Sequence, residues 1–119
     1  MNKTCVVAFV YPGITNKFKR FLNSLDEQTN QNFDVVIFSN NLKNFNIANK
    51  KYKIKIIKLN SEIIKSRFEM IKHLKKTNYQ NIIFQDADDT MSANRMEIIN
   101  KELKKNYVVV NDLDIIFKK

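Results

Sequence analysis

The chain of 119 residues is 44% hydrophobic and 11% aromatic, which is enough apolar material for one folded domain with its own core. No apolar run approaches the roughly 18 residues of a membrane span, so we expect no transmembrane segment, and the N-terminus lacks the pattern of a secretory signal peptide. The formal net charge of +9 comes from lysines spread along the whole chain, without an arginine cluster, so we expect no nucleic-acid partner.

The first apolar run, Thr4–Val10, is continuous and is typical of a strand buried on both faces. The only cysteine, Cys5, lies in this run, so we expect a buried thiol and a reducing compartment. The expected location is the cytoplasm, and peripheral association at the inner face of the membrane is left open. A helix is predicted over residues 17–28 with Thr15 or Asn16 as its cap. Four apolar residues share one face of that helix: Phe18, Phe21, Leu22 and Leu25.

Two more strands are predicted next, over residues 33–39 and 52–59, with an exposed Asn-rich connection over residues 40–51. The second of these strands alternates lysine with apolar residues, which indicates a position near a sheet edge. A helix follows over residues 61–76. Its predicted apolar face consists of Ile63, Ile64, Phe68, Ile71 and Leu74.

The last predicted elements are a strand at Asn81–Phe84, a helix over residues 92–105 and a terminal strand or strand pair over residues 107–117. The third helix uses Met96, Ile99 and Leu103 on its apolar face. This alternation predicts an α/β fold, a Rossmann-like three-layer α/β/α sandwich with a mostly parallel sheet. Ligands of such folds bind beyond the carboxyl ends of the strands.

Three carboxylates, Asp86, Asp88 and Asp89, follow the Asn81–Phe84 strand in the segment "NIIFQDADDT". Carboxylates this close repel one another, and a hard divalent cation, Mg²⁺ or Mn²⁺, would relieve the repulsion and neutralise a diphosphate group. "DADDT" also matches a phosphatase pattern locally, with Asp86 as nucleophile, Asp88 as acid/base and Thr90 behind them. The remaining alternative is a solvated acidic loop that caps the next helix.

Beyond this motif, the chain resembles the family 2 glycosyltransferases of the GT-A fold. The segment "SLDEQTNQNFDVVIF" is similar to that family's first helix, ending in Leu-x-x-Gln-Thr, followed by its second strand. The segment "SRFEMIKHLKKTNYQNIIFQDADDTMSANRMEIINKEL" resembles its helix with an early arginine, its Asp-x-Asp strand end, and a helix with Asn-Arg near its start. The resemblance covers nearly the whole chain.

The resemblance implies a site for a nucleotide-diphosphate sugar, with a UDP-sugar favoured. Tyr11 would lie beside the base, Asn40 would take the place of the family's usual aspartate at the base, and Arg67 would approach the nucleotide. Asp86 or Asp88 would contact the ribose, and Asp88 with Asp89 would hold Mn²⁺ or Mg²⁺. The segment "SNN" replaces the family's aspartate pair, which leaves the preferred base open.

Members of that family are about twice this length or more, against a typical domain of roughly 100 to 200 residues. We therefore expect residues 1–119 to form a single nucleotide-sugar-binding domain that is truncated relative to a full glycosyltransferase. The missing half would supply the acceptor site, for a glycan or a lipid-linked acceptor, and the catalytic base, so the chain alone is expected to bind a donor without transferring it. A fold of this length should also expose apolar surface, which predicts a weakly held homodimer.

Overall fold

A computed structural model describes residues 2–11, 13–40, 50–59 and 63–103, without the side chains of Thr15, Asn40, Ile63 and Ile64. In this part of the chain, strands and helices follow one another as the sequence predicts. The strands are β1 (Thr4–Val10), β2 (Asp34–Asn40), β3 (Ile54–Leu59) and β4 (Asn81–Phe84), and the helices are α1 (Thr15–Asp26), α2 (Ile63–Lys75) and α3 (Arg95–Leu103). Of the predicted connection over residues 40–51, residues 41–49 lie outside the described residues, as do the predicted strands over residues 107–117.

The four strands form one sheet in the order β3-β2-β1-β4, and every neighbouring pair is parallel. The central strand β1 aligns Cys5 with Asp34 of β2 and with Ile82 of β4. Among the described strands, β3 is at an edge of the sheet, as its alternating pattern predicts. These observations confirm the predicted α/β class with a parallel sheet.

Helices cover both faces of the sheet, which gives the predicted three layers. On one face, α1 and α3 pack against alternate residues of β1 and β2, with Phe18, Phe21 and Met96 fully buried. On the other face, α2 packs through Met70 and Leu74. The strand side chains beneath α2 are Cys5, Val7, Val36, Phe38 and Leu59. The expectation of a buried cysteine is confirmed, since Cys5 is fully buried.

The start of α1 differs from the prediction. The helix begins at Thr15, the residue before it is Ile14, and no side chain caps it by a hydrogen bond. Ile14 is buried in the same cluster as Phe18, and its carbonyl accepts a 2.7 Å hydrogen bond from the Phe18 backbone N–H. Burial of Ile14 therefore sets the start of the helix instead of a polar cap.

The apolar face predicted for α2 is wrong at two positions. Phe68 is 65% exposed and Ile71 is 47% exposed, whereas Met70 and Leu74 are buried as the helix packs on the sheet. Ser66, at the same helical spacing, is buried with them. The face of α2 that packs on the sheet is therefore rotated relative to the face that hydrophobicity alone predicts. Two large apolar side chains remain on the surface.

The turn after β1 contains the only glycine of the chain, Gly13, at a φ of 98°. This left-handed conformation strains residues that carry a Cβ atom, so glycine sets the direction in which the chain leaves β1. Among the described residues, no helix has the length and apolar character required to span a bilayer.

Candidate functional site

A cleft of about 710 Å³ lies at the carboxyl ends of β1 and β4. From β1 the chain proceeds to β2 and β3 on one side of the sheet and then returns to β4 on the other, so the order reverses between β1 and β4. Open α/β sheets bind ligands at such a reversal. Its lining combines apolar and charged side chains. The apolar ones include Val7, Phe9, Met70, Ile71 and Phe84, and the charged ones are Arg67, Asp86, Asp88, Asp89 and Arg95.

The three carboxylates predicted as a site form one cluster in the lining of the cleft. Asp86, Asp88 and Asp89 each have an oxygen within 4.8 Å of an oxygen of the other two. The backbone N–H of Asp89 donates a 3.2 Å hydrogen bond to the Asp86 carbonyl, which folds the segment into a turn. Ala87 lies inside this turn and is buried, so the side chains on either side of it are directed outwards together.

Nearby positive charges compensate the negative charge of this cluster only in part. Burial raises the pKa of Asp89 above its ordinary value, and the neighbouring charges of Asp88 and Asp86 raise it further. Arg95 and Lys17 act in the opposite direction. The raised pKa shows that these two cations do not fully offset desolvation and repulsion.

Hydrogen bonds hold the segment that follows the acidic cluster against the end of α1 and the residues just after it. The buried amide of Gln28 donates a 2.7 Å hydrogen bond to the Ser92 carbonyl and accepts a 2.9 Å hydrogen bond from the Met96 backbone N–H. The Ser24 hydroxyl accepts a hydrogen bond from the Met91 backbone N–H, and the Thr29 backbone N–H donates to the Ala93 carbonyl. These bonds hold the chain between the acidic cluster and α3 against α1.

Five of the six side chains predicted as site residues line this one cleft. They are Tyr11, Arg67, Asp86, Asp88 and Asp89, drawn from the ends of β1 and β4 and from α2. Tyr11 is 43% exposed at the end of β1. The sixth residue, Asn40, ends β2 with its backbone aligned to Leu59 of β3, and its side chain lies outside the described part of the chain.

Sequence reasoning missed two residues of this region. Arg95 lines the cleft, and Gln28 anchors the adjoining segment. Both belong to motifs that carry the family resemblance, Gln28 to Leu-x-x-Gln-Thr and Arg95 to Asn-Arg. The available signal was an arginine six positions after the last of the three carboxylates and at the start of a helix.

A second, apolar groove lies beside the cleft along β4. Among the described residues β4 pairs only with β1, and its other edge is uncovered. Ile82 and Phe84 align with Cys5 and Val7, so they share the α2 face of the sheet, and Phe84 is 61% exposed. The groove of about 300 Å³ is lined by Ile71, Leu74, Lys75, Thr77, Tyr79, Ile82 and Phe84.

A three-layer fold with a cleft and an acidic cluster at the switch point is the architecture that the sequence resemblance implies. The solved structures with this fold include TarS of S. aureus, a family 2 glycosyltransferase, with a TM-score of 0.69 and 19% identity, covering 88% of this chain and 20% of that chain. TarS 1-349, alone and in complex with UDP, gives a TM-score of 0.70 and 19% identity, covering 90% of this chain and 33% of that chain.

At this identity the likeness shows the fold, and the predicted resemblance to family 2 glycosyltransferases is confirmed at that level. The chain spans between 20% and 33% of the length of these structures. No protein-family model matches the sequence, and no curated protein matches it.

Proposed function

We propose that the chain is the nucleotide-sugar-binding part of a glycosyltransferase, a domain that binds a nucleotide-diphosphate sugar, with a UDP-sugar favoured, for transfer to a glycan or lipid-linked acceptor. The observation that carries the proposal is the convergence of Tyr11, Arg67 and the three aspartates on one cleft at the switch point. The UDP complex of a protein with the same fold supports the choice of ligand class.

Each side chain has a proposed role in donor binding. Tyr11 provides an apolar ring beside the base, and Arg67 provides a positive charge for the nucleotide. Asp86 or Asp88 accepts hydrogen bonds from the ribose hydroxyls. Asn40 contacts the base from the end of β2, where its amide can both donate and accept a hydrogen bond.

The acidic cluster suits a divalent cation. Oxygen donors are the ligands that Mg²⁺ and Mn²⁺ prefer, and three of them lie within 4.8 Å of one another here. The raised pKa of Asp89, which follows from burial and from repulsion, indicates that an additional positive charge would be favourable at this point. Asp88 and Asp89 are the proposed ligands, and a cation held there would neutralise charge on the diphosphate.

By itself, the chain is proposed to bind the donor without transferring the sugar. Transfer needs a base that accepts the proton of the acceptor hydroxyl, and we assign that role to no residue of the described cleft. Residues 1–119 are proposed to form one donor-binding domain, which corresponds to part of a full glycosyltransferase.

The apolar groove along β4 supports a homodimer. Two copies that met at this groove would bury Ile82 and Phe84 and would cover the free edge of each β4 strand. Lys75 lines the groove, and the chain carries a net charge of +9, so two copies repel each other and the dimer should be weak.

We place the chain in the cytoplasm because of the state of its cysteine. Cys5 is fully buried, and burial raises the pKa of its thiol to about 12, with a smaller contribution from the charge of Asp34. Such a thiol stays protonated. The sequence offers it no second cysteine for an internal disulfide, which agrees with a reducing compartment.

The proposed function is tested by calorimetry with UDP-sugars, UDP and uridine, each titrated with and without Mn²⁺. We expect UDP and UDP-sugars to bind in a Mn²⁺-dependent manner and uridine to bind weakly without a metal effect. Incubation with a labelled donor and water or acceptor sugars should give no transfer. If the chain does not bind UDP or any UDP-sugar in the presence of Mn²⁺, the proposal is wrong.

A further inference from the structure

Arg95 is a cationic side chain that the donor-binding roles above leave unassigned. It is the first residue of α3, it is half-buried, and it lines the cleft. Its Nε atom is buried and has no hydrogen-bond partner among the described atoms. A guanidinium has five N–H donors and stays charged in proteins, so a buried donor without an acceptor is costly.

The acidic cluster does not satisfy this guanidinium. Burial lowers the pKa of Arg95, and the charge of Asp89 acts only in the opposite, smaller sense. Within the described part of the chain, no ion pair closer than 4.0 Å joins Arg95 to a carboxylate. Arg95 therefore lies near Asp89 without forming an ion pair with it, and the accessible part of its half-buried side chain lines the cleft, where the terminal N–H groups of the guanidinium can meet a ligand.

The neighbouring groups determine which ligand suits the accessible part of this guanidinium. The carboxylates that line the same cleft are the proposed metal ligands, so the space beside Arg95 would be flanked by a divalent cation and a guanidinium. Two positive groups around one space suit an anion with several oxygens, and a guanidinium binds phosphate oxygens in a bidentate manner. We propose that Arg95 binds the diphosphate of the donor and makes the cleft selective for nucleoside diphosphates over monophosphates. This inference rests on the proposed function.

The experiment compares UDP and UMP binding in Mn²⁺ by calorimetry for wild type, Arg95→Gln, Arg95→Lys and the control Arg20→Gln. Arg20 is exposed on α1 and does not line the cleft, so its replacement removes the same charge from the chain without touching the site. We expect Arg95→Gln to weaken UDP binding by roughly ten- to hundredfold, as loss of a charged hydrogen bond does, and UMP binding far less. Arg95→Lys should retain part of the selectivity, because it keeps the charge without the planar fork.

A second measurement, the affinity for Mn²⁺ alone, separates ligand binding from a structural role. Arg95→Gln should bind Mn²⁺ at least as tightly as wild type, because it removes a positive charge near Asp89. Reduced Mn²⁺ affinity, or an equal loss of UDP and UMP affinity, would mean that Arg95 supports the acidic segment and would overturn the inference. Unchanged UDP affinity in Arg95→Gln would also overturn it, while the proposed function would stand on the wild-type result. If wild type does not bind UDP, both the inference about Arg95 and the proposed function are wrong.

Discussion

The side-chain oxygen of Gln28 accepts a 2.9 Å hydrogen bond from the backbone N–H of Met96, which joins the residues just after α1 to the first turn of α3. The same amide donates to the carbonyls of Ser24 and Ser92, at 3.1 Å and 2.7 Å. One buried side chain thus satisfies three backbone groups of the segments that flank the acidic cluster. This hydrogen bond holds the start of α3 against the residues after α1, although Gln28 does not line the cleft.

We expect Gln28→Ala to lower the free energy of unfolding by roughly 1–3 kcal/mol, because it leaves buried backbone groups unpaired. Chemical denaturation of the variant measures the change. The control is Gln80→Ala, which removes an exposed glutamine side chain and should change stability by less than about 0.5 kcal/mol. Equal stability of the two variants would contradict the anchoring role of Gln28.

Affinity for Mn²⁺ should depend on pH through Asp89. Its pKa is raised above the ordinary 3.8, first by burial and then by Asp88 and Asp86, and only the ionised carboxylate holds a cation well. Affinity is therefore expected to be full above the raised pKa and to fall as the pH is lowered through it, at a higher pH than an unperturbed aspartate would give.

In the metal-free protein, the contribution of Asp89 to the stability of the fold should have the opposite pH dependence: it should rise as the pH is lowered. The folded state binds the Asp89 proton more tightly than the unfolded state, so protonation between the raised pKa and 3.8 stabilises the fold. Mn²⁺ titrations and denaturation at several pH values, on wild type and Asp89→Asn, measure both trends. A Mn²⁺ affinity that falls only near pH 3.8, or an Asp89→Asn variant with the wild-type profile, would exclude Asp89 as the controlling group.

Replacing the exposed Phe84 should dissociate the proposed dimer. Phe84→Ser removes the largest apolar side chain of the β4 groove, and because Phe84 is 61% exposed the folded monomer should lose little stability. Sedimentation velocity over a concentration series measures the association. The control is Ile98→Ser, which alters a side chain that is 51% exposed on α3 and does not line the groove. A wild type that stays monomeric at high concentration, or an Ile98→Ser variant that dissociates equally, would argue against the groove as the interface.

The parts of the fold that the sequence predicts well are those where a short apolar run marks a strand. The strands Thr4–Val10 and Asn81–Phe84 have the predicted bounds, although the first is buried and Ile82 and Phe84 of the second are exposed. The prediction for the packed face of α2 is wrong, because hydrophobicity does not reveal that Phe68 and Ile71 point away from the sheet surface that Met70 covers. That outcome depends on the position of the helix relative to β4, which is a tertiary property.

The candidate site was predictable in outline because parallel strands place their carboxyl ends at one edge, so Tyr11 and Asp86 converge although 75 positions separate them. The roles of Arg95 and Gln28 were not predictable, since each depends on a contact between distant segments. Gln28 meets Met96 across 68 positions, and no local pattern around either residue specifies that hydrogen bond.

The central claim is that Asp88 and Asp89 hold a divalent cation that supports binding of the donor diphosphate. Its most direct test is one melting series on wild type, Asp88→Asn, Asp89→Asn and the control Glu69→Gln, each with and without Mn²⁺ and UDP. Glu69 is exposed on α2 and does not line the cleft, so its replacement removes one negative charge elsewhere.

Without metal, all four proteins should have unfolding free energies within about 0.5 kcal/mol of one another, with Asp89→Asn level or slightly higher because repulsion is relieved. Mn²⁺ with UDP should raise the melting temperature of wild type and Glu69→Gln and leave both aspartate variants nearly unchanged. An identical response of all four proteins to Mn²⁺ and UDP, or aspartate variants that melt distinctly lower without metal, would contradict the claim.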